Sequence, residues 1–299
     1  MRFRDLLLVL VQLVGMGVGV LFPQWGGHLG PWVLYLMMSI LFLSFLRIEP
    51  GPLLRVSPRE LVEVISWSMV KLVIMPVALW LAARLGFPAY ALPVLLLAGV
   101  STGVVAPFLA GLLGANTTRV LQVVVLSSLM VPLTLPAWVK LLMGTELHIP
   151  LLHMVRMLAL VIFLPLVMAM GLRRLWPGLV TVLTRAQYAV SLCLFLVINL
   201  GIFAAYSEFL LSRPGEVLWA LLVACALAAI APVMAEGFAR TAPKVLDKLT
   251  GAVCLTFVNN VLIVVFSFEF FDAQAPMVAA LYMVPFFAMV VPIRWLNRQ

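Results

Sequence analysis

A lysine, two hydroxyl pairs and a carboxamide pair stand inside stretches of sequence that are otherwise apolar: Lys71, Ser101 with Thr102, Ser127 with Ser128, and Asn259 with Asn260. Their chemistry is that of binding. Hydroxyl and carboxamide oxygens ligate cations, while an ammonium, O–H and N–H groups hold anions. Composition shows why their positions matter. Hydrophobic residues make up 65% of the 299 residues and charged residues 10%, whereas a soluble domain carries roughly 25% charged residues. No soluble fold of this size hides so much apolar surface, but a bilayer accepts it. In hydrocarbon an unpaired polar group costs several kcal/mol, so each of these side chains is a candidate site residue.

Lys71 lies about ten residues into an apolar run, or about 15 Å deep at roughly 1.5 Å per residue. No acid is within a helical turn of it, and Glu63 is two turns away. It reads either as a cation paired for packing or as a fixed charge lining an ion or substrate path. A second run holds Gly99, Ser101, Thr102, Gly103 and Pro107 within nine residues. A proline removes a backbone hydrogen bond and frees the carbonyl one turn back, here near residue 103. The run is predicted to break there; the alternative is a plain proline kink. Adjacent carboxamides point to different faces of a helix, so one partner cannot satisfy both Asn259 and Asn260. An unwound segment serves them better than simple interhelical hydrogen bonding. Ser127, Ser128, Gln122, Thr134 and Asn199 are more ambiguous, since polar groups in membrane helices often bond their own backbone.

These residues must be positioned by spans. Breaks at Pro, Gly and charges divide the chain into ten runs, roughly 5–22, 29–47, 61–83, 91–113, 117–142, 151–172, 186–207, 215–235, 244–268 and 275–296. About 20 apolar residues cross the hydrocarbon, so the expectation is an all-α polytopic membrane protein in one membrane domain, 1–299. The first run follows Arg2 and Arg4, but no small-x-small cleavage site follows it, so it reads as a span rather than a leader. With the N-terminus inside, the inner ends hold fourteen basic residues: Arg2, Arg4, Arg47, Arg55, Arg59, Arg119, Arg173, Arg174, Arg185, Arg240, Lys244, Lys248, Arg294 and Arg298. The outer ends hold four, Arg84, Lys140, Arg156 and Arg213. This bias predicts a cell-membrane protein with both termini cytoplasmic.

Met130-Val131-Pro132 in the fifth run recurs as Met283-Val284-Pro285 in the tenth, an offset close to half the chain. This fits two inverted five-helix halves of about 1–145 and 146–299. The broken fourth and ninth runs are then equivalent, and they are predicted to touch near 101–107 and 257–261.

Several functions are excluded. The net charge of +8 comes from basic residues placed singly or in pairs between apolar runs, which is topology rather than a nucleic-acid patch. Cys193, Cys225 and Cys254 lie in apolar runs without ligand spacing, and His28, His148 and His153 are scattered, so neither a metal site nor another cofactor is expected. The acids sit at run ends, so no catalytic pair forms and the chain is not read as an enzyme. No phosphate-loop motif is present, which argues against a nucleotide-driven pump.

Taken together the pattern resembles the bile acid:sodium symporter family, whose members have about ten spans in two inverted halves with crossing fourth and ninth helices. Lys71-Leu72-Val73-Ile74-Met75-Pro76 looks like the family's Gln-x-x-x-Met-Pro. Gly114-Ala115-Asn116 and Ser127-Ser128-Leu129-Met130-Val131-Pro132 resemble its Lys-Gly-Asp turn and Ser-Thr-Leu-x-Ser-Pro helix, and Val258-Asn259-Asn260 resembles its Met-Gln-Asn. The departures are specific. Lys71 replaces a glutamine that ligates sodium in the family, Leu255 replaces the crossover glutamate, and Gly103-Val104-Val105-Ala106-Pro107-Phe108 lacks its Ser-Asn pair. Ser127 and Ser128 still match its Ser-Thr ligands.

The resemblance implies a secondary active transporter of small organic anions working by alternating access. The residues argue against ordinary sodium coupling, leaving a sodium ion or a proton as coupling ion, or a uniporter. Ninth-span carbonyls and Asn259 are the expected partners of Lys71. The other readings are an auxin-efflux-type carrier and a non-transporting membrane receptor.

Overall fold

The computed structural model describes residues 3–47, 56–144, 150–272 and 274–296. Lipid offers no partner to a backbone N–H or C=O, so each span must satisfy its own, and helices result. In chain order these are α1 (Phe3–Leu21), α2 (Pro23–Arg47, opening as a turn and a 3-10 stretch), α3 (Pro58–Gly86), α4 (Ala91–Gly99), α5 (Ala106–Leu113), α6 (Thr117–Met143), α7 (Leu151–Leu175), α8 (Pro177–Ala205), α9 (Pro214–Thr241), α10 (Lys248–Thr256), α11 (Asn260–Phe270) and α12 (Gln274–Trp295). Among the described residues, α2, α3, α6, α7, α8, α9 and α12 are long and apolar enough to cross a membrane, and Leu10–Leu21, Pro88–Gly99 and Asn260–Phe270 are shorter apolar helices. The protein is a multi-pass membrane protein. The only extended pairing among the described residues is one antiparallel bridge, Thr102 with Val258.

The expected seventh run at 186–207 starts too late. Pro177 sits in the first turn of α8, where its missing N–H costs nothing, and Arg185 and Gln187 ride within the helix. The run around Pro107 breaks, as predicted, but one detail differs. Pro107 opens a new half-helix, α5, and the Gly103 carbonyl that it was expected to free accepts the N–H of Ala106 at 2.9 Å.

The chain packs as two units, residues 1–49 with 159–218, and 50–158 with 219–299. Neither unit is a sequence half: each draws on both 1–145 and 146–299. In the first, α1 lies along α8. A Cβ at Gly15 would stand 2.9 Å from the Leu196 carbonyl oxygen, and one at Gly19 2.9 Å from that of Leu200. Small residues let membrane helices approach this closely where no hydrophobic drive exists between them. At the end of α2 the Leu46 carbonyl accepts the Arg173 guanidinium at 2.6 Å, a cation closing a helix C-terminus. The second unit carries the candidate site.

Candidate functional site

Lys71 owes its position to Pro76. Proline has no N–H to close a helical turn, so the Leu72 carbonyl four residues earlier loses its partner. The Trp138 indole N–H takes that carbonyl at 2.8 Å. The turn before the proline widens into a π-helical stretch, Val70–Ile74, in which the Met75 N–H reaches back to the Val70 carbonyl. Lys71 lies in this stretch and is fully buried. Such bulges often mark functional positions in helices.

Two broken helices meet beside it. Helix α4 stops at Gly99 and α5 begins at Ala106; α10 stops at Thr256 and α11 begins at Asn260. The segments between run antiparallel. The Gly103 N–H donates to the Phe257 carbonyl at 2.7 Å, and the Asn259 N–H to the Ser101 carbonyl at 2.9 Å. A side chain at position 103 would prevent this, since a Cβ there would lie 2.7 Å from the Val258 oxygen and 3.0 Å from the Phe257 oxygen. The crossing joins the two places, 101–107 and 257–261, at which the sequence predicts breaks.

Each break leaves helix-end carbonyls that need donors, and the site is built from how they find them. The Thr102 N–H would have closed on the Ala98 carbonyl; it donates instead to the Ser127 hydroxyl at 3.2 Å. The Ala98 carbonyl then accepts the Lys71 ammonium at 2.6 Å. An ammonium at a helix C-terminus is favoured by the backbone dipoles that converge there. In α10 the Thr102 hydroxyl donates to the Cys254 carbonyl at 2.9 Å, and the Tyr282 hydroxyl to that of Thr256 at 2.7 Å. The Asn259 side chain caps α11 by accepting the Leu262 N–H at 3.4 Å.

The partner expected for Lys71 is therefore corrected. It binds a carbonyl of the broken fourth segment, not of the ninth, and Asn259 is occupied as a helix cap. The reason is geometric: the π-helical stretch belongs to α3, which packs along α4 and α6, and α4 ends with an orphaned carbonyl. Among the predicted site residues, Ser101, Thr102, Ser127 and Asn259 meet through direct hydrogen bonds, and Lys71 joins α4 three residues before Ser101. Ser128 is buried and takes no part in these bonds among the described residues, while the Asn260 amide donates to the Ala279 carbonyl of α12 at 3.3 Å. The hydroxyls of Ser101 and Thr256 are buried at the crossing with no hydrogen-bond partner among the described residues. Leu255, where the resemblance expects a carboxylate, is fully buried in α10.

Sequence reasoning missed Tyr282, Trp138 and the Ala98 carbonyl. Pro76 was the available signal for Trp138, because a proline inside a span announces a carbonyl in need of a donor.

The turn before α6 is also informative. Gly114 adopts a left-handed φ of 81° and closes α5, and the Asn116 side chain accepts the Arg119 N–H at 3.1 Å to cap α6. An asparagine here does the capping work of an aspartate.

The Sodium Bile acid symporter family matches residues 33–213, more than half of the chain. The chain belongs to that family. The matched stretch includes Lys71, the fourth-segment break, Ser127 and Ser128; the ninth-segment break lies outside it, and its place in the site comes from the crossing itself. Members of the Sodium Bile acid symporter family are membrane transporters rather than enzymes. Comparison with curated proteins gives no match.

Proposed function

We propose that the protein is a secondary carrier of small organic anions that works by alternating access, with Lys71 as a built-in cation in place of a bound sodium ion. The observation that carries this is the Lys71 ammonium on the Ala98 carbonyl, at the end of a half-helix beside the crossing. A sodium ion at this place needs oxygen ligands and is best served by a carboxylate. The chain offers an ammonium at residue 71 and a hydrocarbon at residue 255. A fixed positive charge does what a bound cation does for helix-end carbonyls, and it adds a positive field for a substrate anion. The half-helices α5 and α11 begin at the crossing, and their N-termini favour the same charge sign.

The family architecture supports ten spans. Among the described residues, seven long apolar helices and three shorter ones, one span each, make that number. The two units support inverted halves, since the first combines spans one and two with six and seven, which are equivalent under a five-plus-five repeat. With both termini inside, a cysteine replacing Gly26 is labelled from outside whole cells and one replacing Gly178 is not.

The test of function is uptake of organic acids into proteoliposomes across sodium and pH gradients. Wild type transports without added sodium, Lys71→Ala loses at least tenfold of the rate, and Lys71→Gln regains a sodium dependence. Sodium-dependent wild-type uptake that Lys71→Ala leaves unchanged overturns the proposal. Binding of organic acids without any uptake favours a receptor.

A further inference from the structure

The second unit contains a cavity of about 680 Å³ that shares no lining residue with the crossing. Its floor is a bonded ion cluster. Arg119 in the first turn of α6 joins two carboxylates of α3, Glu63 at 2.5 Å and Glu60 at 2.6 Å. The second oxygen of Glu63 accepts the Asp247 N–H at 3.1 Å, and the Asp247 carboxylate caps α10 through the N–H and hydroxyl of Thr250 at 2.8 and 2.6 Å. Glu236 is held by Arg240 at 3.2 Å. Each carboxylate in the lining is thus directed at a donor.

The cations are not balanced in the same way. Arg59, Lys244 and Lys248 also line the cavity, and none of the three makes an ion pair among the described residues. They come from the start of α3, the turn before α10 and the start of α10, three separate places that the Glu63–Asp247 bond brings together. A volume of this size lies within the range of small-molecule sites, roughly 300–1,000 Å³. Arginine and lysine together suit an oxyanion with more than one charged oxygen, which accepts the guanidinium fork and point charges at once.

We propose that this cavity binds a phosphate group, held by Arg59, Lys244 and Lys248 over the Glu60–Arg119–Glu63 floor. The end of the unit that carries it is the end assigned to the cytoplasm by the charge bias, so the phosphate comes either from a phospholipid headgroup or from a soluble phosphate ester. The site is separate from the crossing and does not depend on what is transported.

The experiment uses the full chain in two arms. In the first, inorganic phosphate and glycerol phosphate are titrated into protein in a neutral detergent, and binding is read by calorimetry and by the shift in unfolding temperature. In the second, retention of phosphatidylglycerol over phosphatidylcholine is read by native mass spectrometry. Binding in either arm is expected, with the arm identifying the source. The variant Arg59→Gln/Lys244→Gln/Lys248→Gln is expected to weaken it tenfold or more while its ligand-free unfolding temperature stays that of wild type. The variants Lys71→Ala and Lys140→Gln/Arg156→Gln are expected to bind as wild type does. No binding in either arm, or equal binding by the triple variant, overturns the proposal. If the triple variant fails to fold, the single variant Lys244→Gln decides: unchanged affinity there rejects the site, and a loss of threefold or more supports it.

Discussion

The α1–α8 packing and the α4–α10 crossing bury polar groups by opposite means. Along α1 and α8 both helices are continuous, and the buried Asn199 donates to the Phe195 carbonyl of its own helix at 2.7 Å. At the crossing the helices stop, and Thr102, Tyr282 and Lys71 spend their donors on backbone or hydroxyl groups of other segments, while the Ser127 hydroxyl, donating to the Val124 carbonyl of its own helix, accepts the Thr102 N–H. A polar residue that bonds within its helix is replaceable, because the helix already satisfies its backbone. One that bonds a broken helix end is structural and is available for function, because it stands where the backbone has charges to offer.

Substitutions can break or sharpen that contrast. The largest effect is expected from Gly103→Val, which places carbon against the Val258 and Phe257 oxygens. The paired backbones cannot separate without losing both hydrogen bonds, so folded yield and uptake should collapse. Gly19→Ala meets a similar distance, but α1 and α8 are free to separate by a few tenths of an ångström, and a modest drop in unfolding temperature is expected. Equal losses in the two variants would show that the helix pair and the crossing yield alike.

Glu63→Ala comes next. It strands the half-buried Arg119 and takes the acceptor from the Asp247 N–H, and removing one partner of a buried pair costs about 3–5 kcal/mol. Because Arg119 keeps Glu60 and some exposure, the loss should fall at the lower end of that range. Chemical denaturation that moves by less than about 1 kcal/mol would show that the cluster does not hold α3, α6 and α10 together.

Tyr282→Phe removes one neutral hydrogen bond to the Thr256 carbonyl, and about 1 kcal/mol is expected. Its unfolding temperature should fall measurably below wild type. Asn199→Leu should have the smallest effect, because the Phe195 carbonyl still accepts its helical N–H and the lost carboxamide oxygen has no partner among the described residues. An unfolding temperature within a degree or two of wild type is expected. A fall as large as that of Tyr282→Phe would mean that Asn199 serves another group.

Much of this was legible in the order of residues. The apolar runs determined that the chain crosses a membrane as helices, because runs of about 20 apolar residues match a helix that satisfies its own backbone in hydrocarbon. Gly99, Gly103 and Pro107 marked one break and the Asn259–Asn260 pair the other, because these residues favour places where a helix does not continue. The Lys71 to Pro76 spacing marked an anomaly in α3. The partners were not legible. Which carbonyl receives the Lys71 ammonium depends on which helix end α3 packs against, and the answer is Ala98 because Thr102 has already turned its N–H to Ser127. The sequence put Asn259 and Asn260 on different faces without saying what each face meets; one caps α11 and the other reaches α12. Glu63, Arg119 and Asp247 are 56 and 128 residues apart in turn, and only the packing of α3, α6 and α10 makes them one cluster. Residue types determined where backbone would be left unsatisfied; tertiary structure decided who satisfies it, because those donors come from segments far away along the chain.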